Sequence, residues 1–182
     1  MRSFILLTLL LLLPVLLVPN VNDLPKHLKI AYSYIGTTEL TGNNDGPVIE
    51  YIIHRQGGAK GASYCSYFVS MCIDSAKVKE PSVRPGMAVG FIGKHSIPAN
   101  DVLTGKTKVP PGTIIIWRKG ESVHGHTGFV YEWGKRYGVT VEGNTSSGQT
   151  GSQANGDGIW MRKREIQPMN YFRIICFTLV KY

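Results

Sequence analysis

Cysteine is scarce in this chain, and the three that occur, Cys65, Cys72 and Cys176, are an odd number. A disulfide-stapled framework is thereby excluded, since at least one thiol is left over. Cys65 and Cys72 are spaced so that on one helix they stand roughly 10 Å apart along the axis, beyond disulfide reach; a bond between Cys72 and Cys176 stays open. Acidic residues are also few, 12 Asp and Glu against 20 Lys and Arg, which gives a formal net charge of +8. The basic residues nonetheless gather into no long like-charged block, so the excess suits diffuse attraction to an anionic surface better than a nucleic-acid groove. Internal repeats and low-complexity tracts are absent, which removes solenoids and extended linkers from consideration.

Long apolar runs are lacking except at the start. From Phe4 to Val18 the chain is apolar, broken only by Thr8 and Pro14, after a single early charge at Arg2. That is short for a spanning helix, which needs about 20 apolar residues, and it matches a signal-peptide hydrophobic region. Export is expected, with cleavage between Val18 and Leu24; the flank has no clean small-x-small site, so an uncleaved membrane anchor is the alternative. Residues 1–23 form that segment and residues 24–182 one domain. With 182 residues and 43% hydrophobic content the remainder is large enough to bury a core.

Apolar periodicity predicts a helix over Leu24 to Thr38, with Leu28, Ile30, Ala31, Tyr34 and Ile35 on its buried side. A second is predicted from Pro47 to about Gln56, with Val48, Tyr51 and Ile52 facing the core. A third begins after the glycine-rich stretch Gly57–Gly61, carries Tyr64, Phe68, Val69 and Cys72 as its stripe, and ends between Ala76 and Lys79. Residues 80–111, rich in Pro and Gly, read as a long loop with short helical pieces or a lid. Beyond Gly112 the pattern turns to strands: Thr113 to Arg118, His126 to Trp133, Tyr137 to Glu142, Gly158 to Lys163 and Phe172 to Val180. Asn144 to Gly158 reads as a surface loop. Helices followed by consecutive antiparallel strands predict an α+β domain, with the helices packed on a sheet of about five strands.

Cys65 falls in the first turn of the third helix. There the unpaired N–H groups and the positive dipole end favour a thiolate, which is the nucleophilic form; a packed, inert thiol is the competing reading. A nucleophilic cysteine needs a histidine to handle its proton and a third group to orient the ring. His27, His54 and His95 are read as surface residues. His126 opens a strand, where a helix start packed on the sheet meets it, and His124 is the next candidate. Glu142 and Asn144, closing the neighbouring strand with shared parity, can each accept a hydrogen bond from an imidazole.

Taken together, Ile35 to Pro47, Gly61-Ala-Ser-Tyr-Cys65-Ser-Tyr-Phe-Val69, Pro111 to Trp117, Gly125-His126-Thr-Gly-Phe-Val130 and Val141-Glu142-Gly-Asn144-Thr145 resemble the CHAP amidase/peptidase family. That family stands within the NlpC/P60 papain-like group of cell-wall hydrolases. The resemblance implies a papain-like fold, Cys65 as nucleophile, His126 as general base and then acid, and Glu142 with Asn144 as orienting groups. Tyr64, which stands where relatives often carry tryptophan, Asn44 and Trp117 are placed in the substrate groove. The oxyanion would be held by the Cys65 N–H and a second donor, for which Asn43, Asn44 and Tyr64 are candidates. Some relatives bind calcium through an Asp-x-Asp cluster that this chain lacks, so no metal and no cofactor are expected. The implied substrate is peptidoglycan, cut by a monomer at the sugar–peptide amide or within the peptide stem, outside the cytoplasm. A non-catalytic wall-binding module on the same fold is the alternative, and acyl transfer to an amine a third reading.

Overall fold

The computed structural model describes residues 20–79, 84–147, 156–167 and 172–181. Residues 1–19 of the expected signal segment lie outside them. Among the described residues no helix is long and apolar enough to cross a membrane.

The chain begins with a 3₁₀ turn at Val21–Asp23, capped by the Asn20 side chain on the Asn22 N–H. Helix α1 then runs over Lys26–Ser33, shorter than predicted at both ends. Pro25 precedes its first residue, and Gly36 at φ 90° turns the chain away beyond its last. Its buried side is His27, Leu28 and Ala31, whereas Ile30, Tyr34 and Ile35 are only partly covered. His27 was expected at the surface. It is instead 1% exposed, because its Nε2 lies 2.8 Å from the Gly112 carbonyl and its ring packs on Phe129 at 5.0 Å. One buried polar partner makes an imidazole acceptable in a core.

Helix α2 spans Pro47–Arg55. Its stripe is Ile49, Ile52 and Ile53, so the expectation for Val48 and Tyr51 is corrected: they are 40% and 48% exposed. The isoleucines at i, i+3 and i+4 define the helix face, and Tyr51 turns outward to receive a 2.7 Å hydrogen bond from Arg55. Helix α3, Cys65–Ser75, is the most buried element, with eight of its eleven residues enclosed.

The region expected as a loop holds a 3₁₀ turn at Ala88–Phe91, a short strand β1 at Ser96–Pro98 and helix α4 at Ala99–Leu103. Then come β2 (Ile114–Lys119), β3 (Gly125–Trp133), β4 (Tyr137–Thr145), β5 (Gly158–Glu165) and β6 (Phe172–Thr178). The domain is α+β, and its antiparallel sheet has six strands in the order β1-β6-β2-β3-β4-β5. The additional strand is β1, three residues long and too rich in interruptions to show an alternation.

Alternating side chains divide the apolar residues into two clusters. Ile114, Ile116, Phe129, Val141 and Ile159 join the residues of α1, α2 and α3 on one side. Ile115, Trp117, Val130, Ile174 and Phe177 join Ala99 and Val102 of α4 on the other. The helices thus occupy one face, with the small α4 layer on the opposite one. The start of α3 meets the sheet where β3 begins and β4 ends.

Candidate active site

Gly61 takes φ 77° and ends the glycine-rich connection, so the backbone can turn sharply into Tyr64 and begin α3 at Cys65. No side chain caps this helix. The first-turn N–H groups, which in any α-helix have no intrahelical acceptor, are therefore left to the sulfur and its surroundings. Cys65 is 8% exposed. Its sulfur is hydrogen-bonded to His126 and to the Ser66 backbone and hydroxyl, the latter at 3.8 Å. Burial pushes the thiol pKa up, but the hydrogen bond and charge of His126 outweigh it and bring it below the ordinary value.

His126 is the second residue of β3 and sits across from Trp117 in β2, whose indole packs on the imidazole at 5.3 Å between ring centroids. The imidazole Nε2 donates to Glu142 Oε2 over 2.9 Å. With Nε2 committed to the carboxylate, Nδ1 is the nitrogen available to the thiol. Burial would lower the imidazole pKa, yet its hydrogen bonds to Cys65 and Glu142 raise it to about 9. A lowered thiol beside a raised imidazole describes a thiolate–imidazolium pair.

Glu142 is fully buried. Desolvation opposes its charge, and the Arg164 and His126 hydrogen bonds overcome this to hold the carboxyl well below its usual range. Thr140 Oγ1 also donates to Oε1. Gly128, the second glycine of the Gly125-His126-Thr-Gly128 segment, makes room for this arrangement. A Cβ at Gly128 would stand 2.6 Å from Glu142 Cγ and 2.8 Å from the Val141 carbonyl oxygen.

Arg164 is the member of the cluster that sequence reasoning missed. Its Nε donates to Glu142 Oε1 over 2.7 Å and its Nη2 donates to Oε2, a two-pronged clamp, while Nη2 also reaches Thr145 Oγ1 at 3.2 Å. The guanidinium carbon lies 5.4 Å from the centre of the Trp117 ring. The predicted strand stopped at Lys163, one residue short. The available signal was the parity of 158, 160, 162 and 164 along one strand face, but a long connection separates β4 from β5 and leaves their register unreadable.

The other expected residues are placed as follows. A register shift between Gly143 and Thr145 gives Asn144 a left-handed φ of 52°, which breaks the parity it was expected to share with Glu142. The imidazole's oxygen partner is Glu142, while the Asn144 backbone hydrogen-bonds the Tyr64 hydroxyl. Tyr64 is fully enclosed and donates to Glu39 Oε1 over 3.2 Å, so it supports the site from beneath and presents no surface to a substrate. Asn44 Nδ2 donates to the Gly61 carbonyl over 3.0 Å and so ties down the connection into α3. Asn43 donates to Thr41 Oγ1. Trp117 is 5% exposed and acts as a wall behind the imidazole. His124 and His54 are exposed, and His95 is partly so. Cys72 is buried with its thiol pushed well above the ordinary value, and Cys176 is buried with its own pushed up to about 11, both by desolvation. Cys65, Cys72 and Cys176 are all free thiols. Asp45 spends its carboxylate on Thr41, at 2.8 and 2.7 Å, and no group of three His, Cys, Asp or Glu among the described residues could hold a metal ion.

A groove of about 790 Å³ is lined by Trp117, Lys163, Arg164, Phe172 and Arg173 among others. Cys65 and His126 do not line it.

Residues 56–144 match the family model of the CHAP domain. The matched stretch begins just before the glycine-rich connection and ends at Asn144, enclosing Cys65, His126 and Glu142. Comparisons with curated proteins and with solved structures returned no match.

Proposed function

We propose, from the premise of that CHAP match, that the protein is a cysteine-dependent hydrolase cutting an amide bond of peptidoglycan, as an N-acetylmuramoyl-L-alanine amidase or an endopeptidase. The CHAP match supports peptidoglycan hydrolysis in general. The observation that carries the cysteine chemistry is the buried relay from Cys65 through His126 to Glu142, with the thiol lowered and the imidazole raised.

In this mechanism the Cys65 thiolate attacks the amide carbonyl carbon. The oxyanion is met by the Cys65 backbone N–H and one further donor. The His126 imidazolium gives its proton to the leaving amine as the C–N bond breaks, and a thioester remains. The now neutral imidazole takes a proton from water, whose oxygen attacks the thioester; the thiolate departs and the imidazolium is restored. Glu142 holds the ring in the tautomer and orientation both steps need. Asn144 contributes from the register shift that follows Glu142 in β4, where its backbone ties the strand to Tyr64 beside Cys65. Retention of the entire relay favours turnover over a wall-binding module, where selection for a lowered thiol would have no object.

Residues 1–23 serve export or anchoring, and the substrate then lies on the same side of the membrane as the enzyme. Leu24 is already part of the core, so cleavage before it leaves the core intact. The test is incubation of purified peptidoglycan with the wild type and Cys65→Ser, with mass spectrometry of released fragments. Release from the wild type alone is expected; a freed lactyl carboxyl with an amine on the first residue of the stem marks the amidase, and an amine on a later residue with the lactyl amide intact marks the endopeptidase. Equal, negligible release from both proteins refutes the hydrolase reading.

A further inference from the structure

We propose that Arg164 is a positioning residue for the cysteine chemistry: its guanidinium balances the buried Glu142 carboxylate and so allows the Cys65 thiolate to persist beside the His126 imidazolium. This role presupposes the cysteine-dependent reading above, yet it is measured on the thiol without any substrate.

Four charges alternate through the cluster: thiolate, imidazolium, carboxylate and guanidinium. They sum to zero, which is the condition under which charge survives away from water. Both guanidinium prongs are used on Glu142, the Arg164 side chain is 14% exposed, and Trp117 flanks it while also packing on the imidazole. Removing the guanidinium would leave one uncompensated negative charge on the other three. A buried cluster then takes up a proton, and the more basic of the two anions, the thiolate rather than the carboxylate, receives it. Arg164 would therefore govern Cys65 through two intermediaries without touching it.

The surrounding charges do not replace it. Arg162 and Asp157 reach the cluster from β5 and the connection before it with opposite signs; Arg162 donates to the Ser146 carbonyl and Asp157 accepts from Trp160. On the groove side Glu132 and Glu165 stand with Lys163 and Arg173. Glu165 is paired with Arg136, and Arg173 faces Glu121. From α3 the sulfur meets Ser66.

The experiment is the rate of Cys65 alkylation by iodoacetamide in the full chain between pH 4 and pH 10, read by mass spectrometry of the Cys65 peptide. The wild type should react well below the ordinary thiol range. In Arg164→Met the rate at pH 6, relative to that at pH 10 where both thiols are ionised, should fall about tenfold or more, the equivalent of one pKa unit. Arg164→Lys, which keeps the charge, should stay within about threefold of wild type, less than half a unit. Glu142→Gln should move the profile to lower pH, and adding Arg164→Met to it should move the profile back up. A folded Arg164→Met whose profile superimposes on the wild type overturns the proposal, as does Arg164→Lys displaced equally far. If Arg164→Met does not fold, superimposable profiles for Glu142→Gln and the double variant overturn it. A displaced profile in a protein that releases nothing from peptidoglycan refutes the hydrolase reading and leaves the role of Arg164 standing.

Discussion

Gly128→Ala adds one methyl group on the strand face that carries Glu142, and the result can be worked out from distances. The new Cβ would lie 2.6 Å from Glu142 Cγ and 2.8 Å from the Val141 carbonyl oxygen, where ordinary contact begins at 3.4 Å. The side chain of Glu142 must yield by most of an ångström, and because the Val141 carbonyl is backbone and cannot swing aside, the two strands must also part at this point. Overpacking of this kind costs about 1–3 kcal/mol. For a domain of this size that lowers Tm by roughly 2–12 °C, at about 2–4 °C per kcal/mol. The functional loss should be larger, because displacing a group that orients a catalytic base by about 1 Å costs on the order of 100-fold in rate. Calorimetry and fragment release from peptidoglycan, measured on the same preparation, separate the two effects. A variant that melts within a degree of the wild type and keeps its rate would refute the steric argument and the role of Gly128 in placing Glu142.

The pH dependence of kcat/KM should be bell-shaped, with the alkaline limb near 9 where His126 loses its proton and the acid limb below the ordinary thiol pKa; an alkaline limb near 6.5 would mean the pair is not formed. Acid stability follows Glu142, whose folded pKa is depressed. Its contribution is complete above the unfolded value of about 4.3 and is lost as pH falls through that value toward the folded one, so denaturant midpoints should drop below about pH 4 in the wild type and much less in Glu142→Gln. The pair itself works in opposite directions. The raised His126 contributes below its unfolded value and loses this as pH rises toward 9, while the lowered Cys65 gains as pH rises toward its own unfolded value, so the two slopes oppose one another and the midpoint should change less steeply than in a variant that keeps only His126. Thiol labelling of the native protein should mark Cys65 and spare Cys72 and Cys176, both buried with raised thiols; labelling of Cys72 at a comparable rate would contradict its enclosure.

Much of the site was legible because its chemistry follows local signals. A glycine-rich connection followed by an apolar stripe puts Cys65 at a helix start, and the strand that opens at His126 puts the imidazole at the sheet's end. Glu142 was legible as one of two residues of shared parity, and the β-bulge decided between them by rotating Asn144 away. A bulge inserts one residue into a period of two, and nothing in the composition of Glu142-Gly-Asn144 announces it. The α2 face was misread by one position because Val48 and the ring of Tyr51 repeat the spacing of the isoleucines beside them, and the Tyr51 hydroxyl that turns outward to Arg55 does not show in an apolar pattern. Arg164 was missed since its partner is remote in the chain, and its charge reads as a solvated strand end. Buried polar residues such as His27 follow the same rule: the Gly112 carbonyl that accommodates it belongs to a turn more than eighty residues on.

The strand order carries a consequence for how the domain assembles. β2 to β5 follow one another as neighbours in the sheet, so each pairing closes a connection to the strand just made. β6 returns across the width of the sheet to the free edge of β2, and β1 has β6 as its partner. Distant pairings pay their loop-closure entropy before any contact rewards them, and they form late. β1 therefore precedes β2 in synthesis yet waits for β6 before it has a strand to pair with, so the meander that holds His126, Glu142 and Arg164 can close before the α4 face of the sheet is finished.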